Sequence, residues 1–271
     1  MNRSDPRHEA DAEPSGPAPA RLSRPAEAAA GDGAETAGPP ADWRWPGIHP
    51  EGLRFAALFG LSALLAFALG WTLLAWPLAA ATALSVLFFR DPLRVTPIGD
   101  DLLVAPADGL VCQIAHVPVP GELRGEGGLA SATALRVSIF LSVFDVHIVR
   151  APLPGRIVRL RHIAGQFLNA GLDRASTDNE RQALVIEASD GTRAGVMLVA
   201  GLIARRIVGF VAEQDQLSPG ERIGLIRFGS RADLYLPEGF VPLVAKGQRT
   251  VAGETVIARR GGLAPAFGPR H

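Results

Sequence analysis

Three side chains in this sequence have the types and settings for covalent or proton-transfer chemistry: Ser230, His147 and Asp108. Ser230 follows Gly229 where two strand-like runs meet, in Arg222-Ile-Gly-Leu-Ile-Arg-Phe-Gly-Ser-Arg-Ala-Asp-Leu-Tyr-Leu236. A serine hydroxyl attacks a carbonyl only when a base takes its proton, and a histidine held by a carboxylate is a common way to supply that base. Glycine suits the electrophilic side, since it has no Cβ to shield the carbonyl and tolerates strained backbone angles. Each residue also has a plainer reading. Gly-Ser is an ordinary tight turn, Pro106-Ala107-Asp108-Gly109 is a common turn sequence, and a histidine closing an apolar run suits a core.

Other chemistries find less support. Lys246 is the one lysine among 27 basic residues, and no glycine-rich phosphate cradle adjoins it, which argues against pyridoxal phosphate bound as a lysine Schiff base. Cys112 is the only cysteine, so neither an internal disulfide nor a cysteine metal cluster can form, and no histidine pair has metal-ligand spacing. The formal net charge is zero, with no basic excess to hold a nucleic acid.

The elements that must position these residues divide the chain into four stretches. Residues 1–52 are polar, and the first fifty hold nine of the 22 prolines with no apolar periodicity, which reads as a disordered tail. Residues 53–90 form an apolar unit in which Phe55 to Phe89 runs for 35 residues without a charge. As one straight helix that run would measure about 52 Å, against roughly 30 Å of bilayer hydrocarbon. Gly70 and Pro77 offer a break, and Trp71 and Trp76 flank it as interfacial aromatics. Arg54 at one end and Arg90 and Arg94 at the other favour a membrane-associated helical hairpin with both ends on the cytoplasmic side.

From 91 to 260 short runs rich in Val, Ile and Leu recur: Leu102–Val104, Leu135–Leu141, Ile157–Ile163, Ala183–Glu187, Val196–Val199, Arg206–Val211 and Arg222–Phe228. Turn sequences separate them, the pattern of a mostly β catalytic domain, sandwich or barrel. Residues 166–181 interrupt the rhythm as a long loop, and 261–271 form a C-terminal tail.

Several stretches occur in a recognisable order: Phe88-Phe89-Arg90-Asp91-Pro92, Pro106-Ala107-Asp108-Gly109, Phe140-Leu-Ser-Val-Phe-Asp-Val-His147-Ile-Val-Arg150-Ala-Pro152, Gly165-Gln-Phe-Leu-Asn-Ala170, Asn179-Glu-Arg181 and Phe228-Gly-Ser-Arg231. In these the chain resembles the phosphatidylserine decarboxylases, specifically their shorter bacterial and archaeal form, over roughly residues 50–240. The resemblance implies a proenzyme that cleaves itself between Gly229 and Ser230. Ser230 Oγ attacks the Gly229 carbonyl to give an ester, and elimination and hydrolysis leave a pyruvoyl group as the covalent cofactor. That carbonyl condenses with the substrate amine and accepts the electrons released with CO2, turning phosphatidylserine into phosphatidylethanolamine. A large chain, 1–229, and a small chain, 230–271, then stay together as a heterodimer at the cytoplasmic face of the cell membrane.

The same resemblance implies helper roles. Asp108 matches an aspartate that acts with a histidine and the cleaved serine in the longer members. Those members carry two histidines three residues apart; here His147 matches the first, and Arg150 stands where the second would lie. Arginine is no base at neutral pH, so proton transfer in self-cleavage, decarboxylation or both falls to His147. Arg181 and Arg231 are candidate contacts for the substrate phosphate, which the arginine fork suits. A related serine phospholipid with archaeal ether-linked chains is an alternative substrate. A non-enzymatic, membrane-tethered β-barrel carrier or interaction domain is the alternative outside the enzymes.

Overall fold

The computed structural model describes residues 46–165, 179–201, 206–227 and 230–265. Gly229 and residues 166–178 of the expected long loop lie outside them. β1 (Gly47–Ile48) leads into α1 (Pro50–Ala68) and α2 (Thr72–Phe88). Then come β2 (Arg90–Asp91), β3 (Leu102–Val104), β4 (Gly109–Pro118), β5 (Thr133–Leu141), β6 (Ile148–Arg150), β7 (Gly155–Ile163), β8 (Arg181–Glu187) and β9 (Arg193–Val199). β10 (Ile207–Gly209), β11 (Gln216–Leu217), β12 (Arg222–Ile226), β13 (Ser230–Tyr235), β14 (Phe240–Pro242), β15 (Arg249–Thr250) and β16 (Val256–Arg260) follow. The expected class, mostly β with an N-terminal helical pair, is the observed one.

The helices start and stop for local reasons. His49 caps α1, its Nδ1 accepting from the Glu51 amide at 3.3 Å, and Pro50 fills the first position, where no amide partner is needed. At the far end Gly70 takes φ +73°, a left-handed turn that glycine adopts freely, and the Trp71 amide reaches back to the Ala66 carbonyl at 2.8 Å. The break therefore falls at Gly70. Pro77 sits inside α2, where its ring forgoes only the bond to the carbonyl four residues back, in the first turn. The helices pack antiparallel along their length, with Phe55 stacked on Phe89, Gly60 against Thr82 and Phe67 edge-on to Trp76.

The root of this hairpin is built into the β domain. β1 pairs with β2, the His49 amide donates to the Phe89 carbonyl at 2.9 Å, and Gly52 abuts Phe89 so closely that a Cβ there would lie 2.2 Å from its ring stem. Phe88 and Phe89 are buried with Val146, Ile148 and Leu225 in a small cluster of their own. Farther out, Leu61, Leu64, Leu65, Leu73 and Trp76 are exposed. α1 is long and apolar enough to cross a membrane, about 28 Å by helical rise; α2 is apolar but shorter.

The largest sheet has eight antiparallel strands in the order β11-β7-β8-β9-β13-β5-β4-β15. Its register puts Arg181, Val199, Arg231, Phe140 and Leu110 in one row across β8, β9, β13, β5 and β4. Paired residues share a face and successive residues alternate. One face carries Val111, Ile139, Leu141, Leu184, Leu198, Ala232 and Leu234 into the main core; the other carries Ala183, Val185, Met197, Val199 and Tyr235. Two three-stranded sheets, β10-β12-β6 and β14-β16-β3, complete the domain.

Candidate functional site

Ser230 is the first residue of β13, a central strand paired with β5 on one side and β9 on the other. It stands opposite Leu141 and, by the pleat, faces the main core with Ala232 and Leu234. Its side chain is fully buried, and Oγ has no hydrogen-bond partner among the described residues. An unpaired buried hydroxyl forfeits its hydration without compensation. Ser138 Oγ, fully buried on β5, is in the same condition.

Another such atom belongs to His147. The ring is fully buried between β5 and β6, and its Nε2 also has no partner among the described residues. Nδ1 lies 2.9 Å from the Asp145 carbonyl oxygen. A carbonyl can only accept, so Nδ1 carries the proton and Nε2 presents a lone pair. Burial holds the pKa down at about 4, against weaker opposing effects of the Asp145 carbonyl and carboxylate, with Arg90 adding to the depression. At neutral pH the imidazole is thus an uncharged base.

The segment leading to Ser230 runs alongside this histidine. The Ile226 amide donates to the His147 carbonyl at 3.2 Å, and β12 pairs with β6. Arg227, the last described residue before Ser230, forms an ion pair with Glu51 in the first turn of α1 and lies over the Phe55 ring at 5.5 Å. Gly229 itself lies outside the described residues.

Asp108 stands in the turn between β3 and β4, next to Gly109, whose φ of +148° and contact with the Phe140 carbonyl exclude any side chain. The Asp108 carboxylate receives Arg94 Nη2 at 2.8 and 3.1 Å and the Ala252 amide at 2.7 Å. Burial raises its pKa, opposed by the Ala252 hydrogen bond and by Arg94. The carboxylate is held by these groups, and the His147 ring is oriented by the Asp145 main chain. A direct carboxylate-to-imidazole bond of the kind in hydrolase triads is absent among the described residues.

Arg150 anchors the neighbourhood. Nη1 donates to the Gly220 carbonyl at 3.0 Å, and Nη2 donates to the Pro92 carbonyl at 2.9 Å and faces Asp91 at 3.3 Å. Burial and the nearby Arg222 lower its pKa to about 10, so it stays a cation at neutral pH. It ties the segment leaving the hairpin to β6.

The other two arginines are not brought to Ser230. Arg231 alternates to the opposite face of β13, buried, with Nη2 3.1 Å from the Asp233 carboxylate. Arg181 shares that face, in the row described above, and pairs with Glu122.

Three contributors were not singled out from the sequence. Phe88 covers the His147 ring. Asp145 accepts from the Ser142 amide and hydroxyl at 2.8 and 2.7 Å and pairs with Arg249. Arg94 holds Asp108. The Ser142-Val-Phe-Asp145 spacing, a hydroxyl residue three before an acid, was the local signal for the turn that Asp145 closes.

A buried serine hydroxyl thus opens β13, and a buried neutral imidazole lies beside β12, the strand that leads towards it. Comparison with known proteins identifies the family. The model of the family described as phosphatidylserine decarboxylase matches residues 81–258. A phosphatidylserine decarboxylase proenzyme from Zymomonas mobilis is 52% identical over 229 residues, covering 84% of this chain and 93% of its own. One from Novosphingobium aromaticivorans is 52% identical over 226 residues, 82% of this chain and 90% of its own. One from Ruegeria pomeroyi is 48% identical over 211 residues, 78% and 94%.

Proposed function

Since the chain belongs to the phosphatidylserine decarboxylase family, we propose that it decarboxylates phosphatidylserine to phosphatidylethanolamine, using a carbonyl made from Ser230. The carrying observation is Ser230 itself, fully buried at the start of a central strand and directly after Gly229, where the family resemblance puts the cleaved serine.

In self-cleavage His147 Nε2 takes the Ser230 hydroxyl proton while Oγ bonds to the Gly229 carbonyl carbon. The amide C–N bond breaks and its nitrogen receives the proton, leaving an ester. Loss of the Ser230 α-proton with departure of the Gly229 carboxylate, then addition of water and release of ammonia, gives a pyruvoyl group at the new terminus. The buried start of a central strand fits such a group: its electrophile would be fixed by β5 and β9 and shielded from bulk water. When present, that carbonyl supplies the electron sink for the carbanion left by CO2.

The chain's own residues do the rest. His147 Nε2 takes a proton from the substrate ammonium as the amine condenses and delivers it to the substrate carbon after CO2 leaves, with Nδ1 held by the Asp145 carbonyl. Asp108, gripped by Arg94 and the Ala252 amide, places negative charge near the site. Arg181 and Arg231 are the candidate phosphate contacts, each already paired with a carboxylate, Glu122 and Asp233. The hairpin holds the catalyst at the cytoplasmic face of the membrane, so a headgroup is engaged without drawing two acyl chains into water.

Intact-mass measurement tests the reading. The active protein should contain a fragment of residues 230–271 with a keto-bearing, blocked start, and Ser230→Ala should remain a single inactive chain. Activity in an uncut preparation would refute the mechanism.

A further inference from the structure

We propose that Phe144 is a second, shallow membrane contact, made by the catalytic domain itself, which seats the turn carrying His147 at the level of the lipid headgroups. The proposal rests on the decarboxylase reading and on the hairpin entering the bilayer.

Between Leu102 and Arg260 the large apolar side chains exposed among the described residues are Leu110, at 39%, and Phe144, at 67%. Leu93, Val95 and Ile98, in the segment that leaves the hairpin, are exposed as well. A phenylalanine two-thirds in water, on a tight turn beside a candidate catalytic histidine, needs a reason.

Its location supplies one. The Phe144 carbonyl accepts from Arg90 Nη2 at 2.6 Å, while Arg90 Nη1 donates to the Leu87 carbonyl at 2.6 Å in the last turn of α2. Phe144 is therefore bound to the root of the hairpin. The root is buried in the domain and the far end projects from it, so an inserted hairpin would bring the surface around its root against the bilayer. Arg90 on the Phe144 carbonyl and Arg249, 65% exposed and paired with Asp145, put two arginines beside this turn, and Arg54, 77% exposed within α1, adds a third near the hairpin's root. An aromatic ring with arginines nearby suits the boundary between anionic headgroups and acyl chains.

The turn is also stiff. Asp145 accepts from the Ser142 amide and hydroxyl, and its carbonyl holds His147 Nδ1. Seating the Phe144 ring in lipid fixes the height of that turn, and with it the histidine, relative to a headgroup.

A nitroxide at position 144, introduced as Phe144→Cys with Cys112→Ser, reads depth directly. Adding phosphatidylserine–phosphatidylcholine vesicles should raise its collision rate with oxygen and lower that with a water-soluble nickel chelate. An unchanged signal overturns the proposal, and so does the same change without vesicles, which would mean a protein partner or a second copy covers the ring. Independently, Phe144→Ser should cleave itself normally and turn over a soluble short-chain phosphatidylserine at the parental rate, while losing about tenfold on vesicles at limiting lipid. Equal loss on both substrates, or none on vesicles, overturns it. A parental protein that decarboxylates neither substrate refutes the decarboxylase reading instead, and the depth measurement then decides the contact alone.

Discussion

The Phe88 ring lies 4.1 Å from the His147 imidazole, centroid to centroid, with the planes tilted by 35°. The last residue of α2 is thus packed on the candidate base and adds to the burial that keeps the imidazole neutral. Phe88→Leu, which keeps an apolar residue but opens the contact, should let the His147 pKa rise from about 4 towards its ordinary 6.5. If neutral His147 is the base of self-cleavage, the acid limb of the cleavage rate moves up in pH by the same amount. Following scission of freshly made precursor from pH 4 to 8 checks this; an unmoved limb would separate Phe88 from the chemistry.

A stability consequence follows from the same residue. The folded pKa lies below the unfolded one, so the unfolded chain binds the extra proton first. The stability tied to neutral His147 is complete above about pH 6.5 and is lost as pH falls towards 4. The limit is roughly 3 kcal/mol, at about 1.36 kcal/mol per pH unit. In the uncleaved Ser230→Ala background, urea midpoints should fall more steeply over that window than in the same background carrying His147→Leu.

Arg150→Met should weaken the fold rather than the chemistry alone. It leaves the Gly220 and Pro92 carbonyls short of a donor, while Asp91 keeps Arg222, with a loss of about 1–3 kcal/mol for unmet buried acceptors. Arg150→His should fare little better, since one ring cannot reach all three groups. Urea unfolding of the same uncleaved background measures both.

Much of this architecture could be read from residue order. The run Leu102–Val104 is β3 to the residue, and the runs beginning at Leu135, Ile157, Ala183 and Val196 each lie within an observed strand. What escaped were the short strands β11, β14, β15 and β16, and the longer β4, Gly109–Pro118, where the register shifts between Val111 and Gln113 and the alternation of apolar residues slips with it. Gly70 was visible as a break, whereas Pro77 gave the same signal from inside a helix. At the site, Ser230, His147 and Asp108 stood out through the ordered motifs that carry the family resemblance. Arg94 on Asp108, Arg249 on Asp145 and Phe88 on His147 are meetings between distant segments, which only the closed sheet and the hairpin root bring about.

Glycine 109 offers a sharp contrast with a neighbour of the same type. A Cβ on Gly109 would meet the Phe140 carbonyl oxygen at 2.3 Å in a backbone region that L residues avoid, while Gly121 has open space and ordinary angles. Gly109→Ala should therefore displace Asp108 and leave the precursor uncut, and Gly121→Ala should mature normally. Gel separation of precursor and products distinguishes them.

The strand that begins at Ser230 is an interior member of the eight-stranded sheet, and β15 and β16, farther along, pair with β4 and β3. A nick ahead of that serine would create two polypeptides interleaved like fingers of clasped hands, with no route to part short of melting the whole. Folding would then be a one-time event: thermal denaturation of the matured form should be irreversible, whereas the uncut Ser230→Ala chain, its strands still tethered, should recover on cooling.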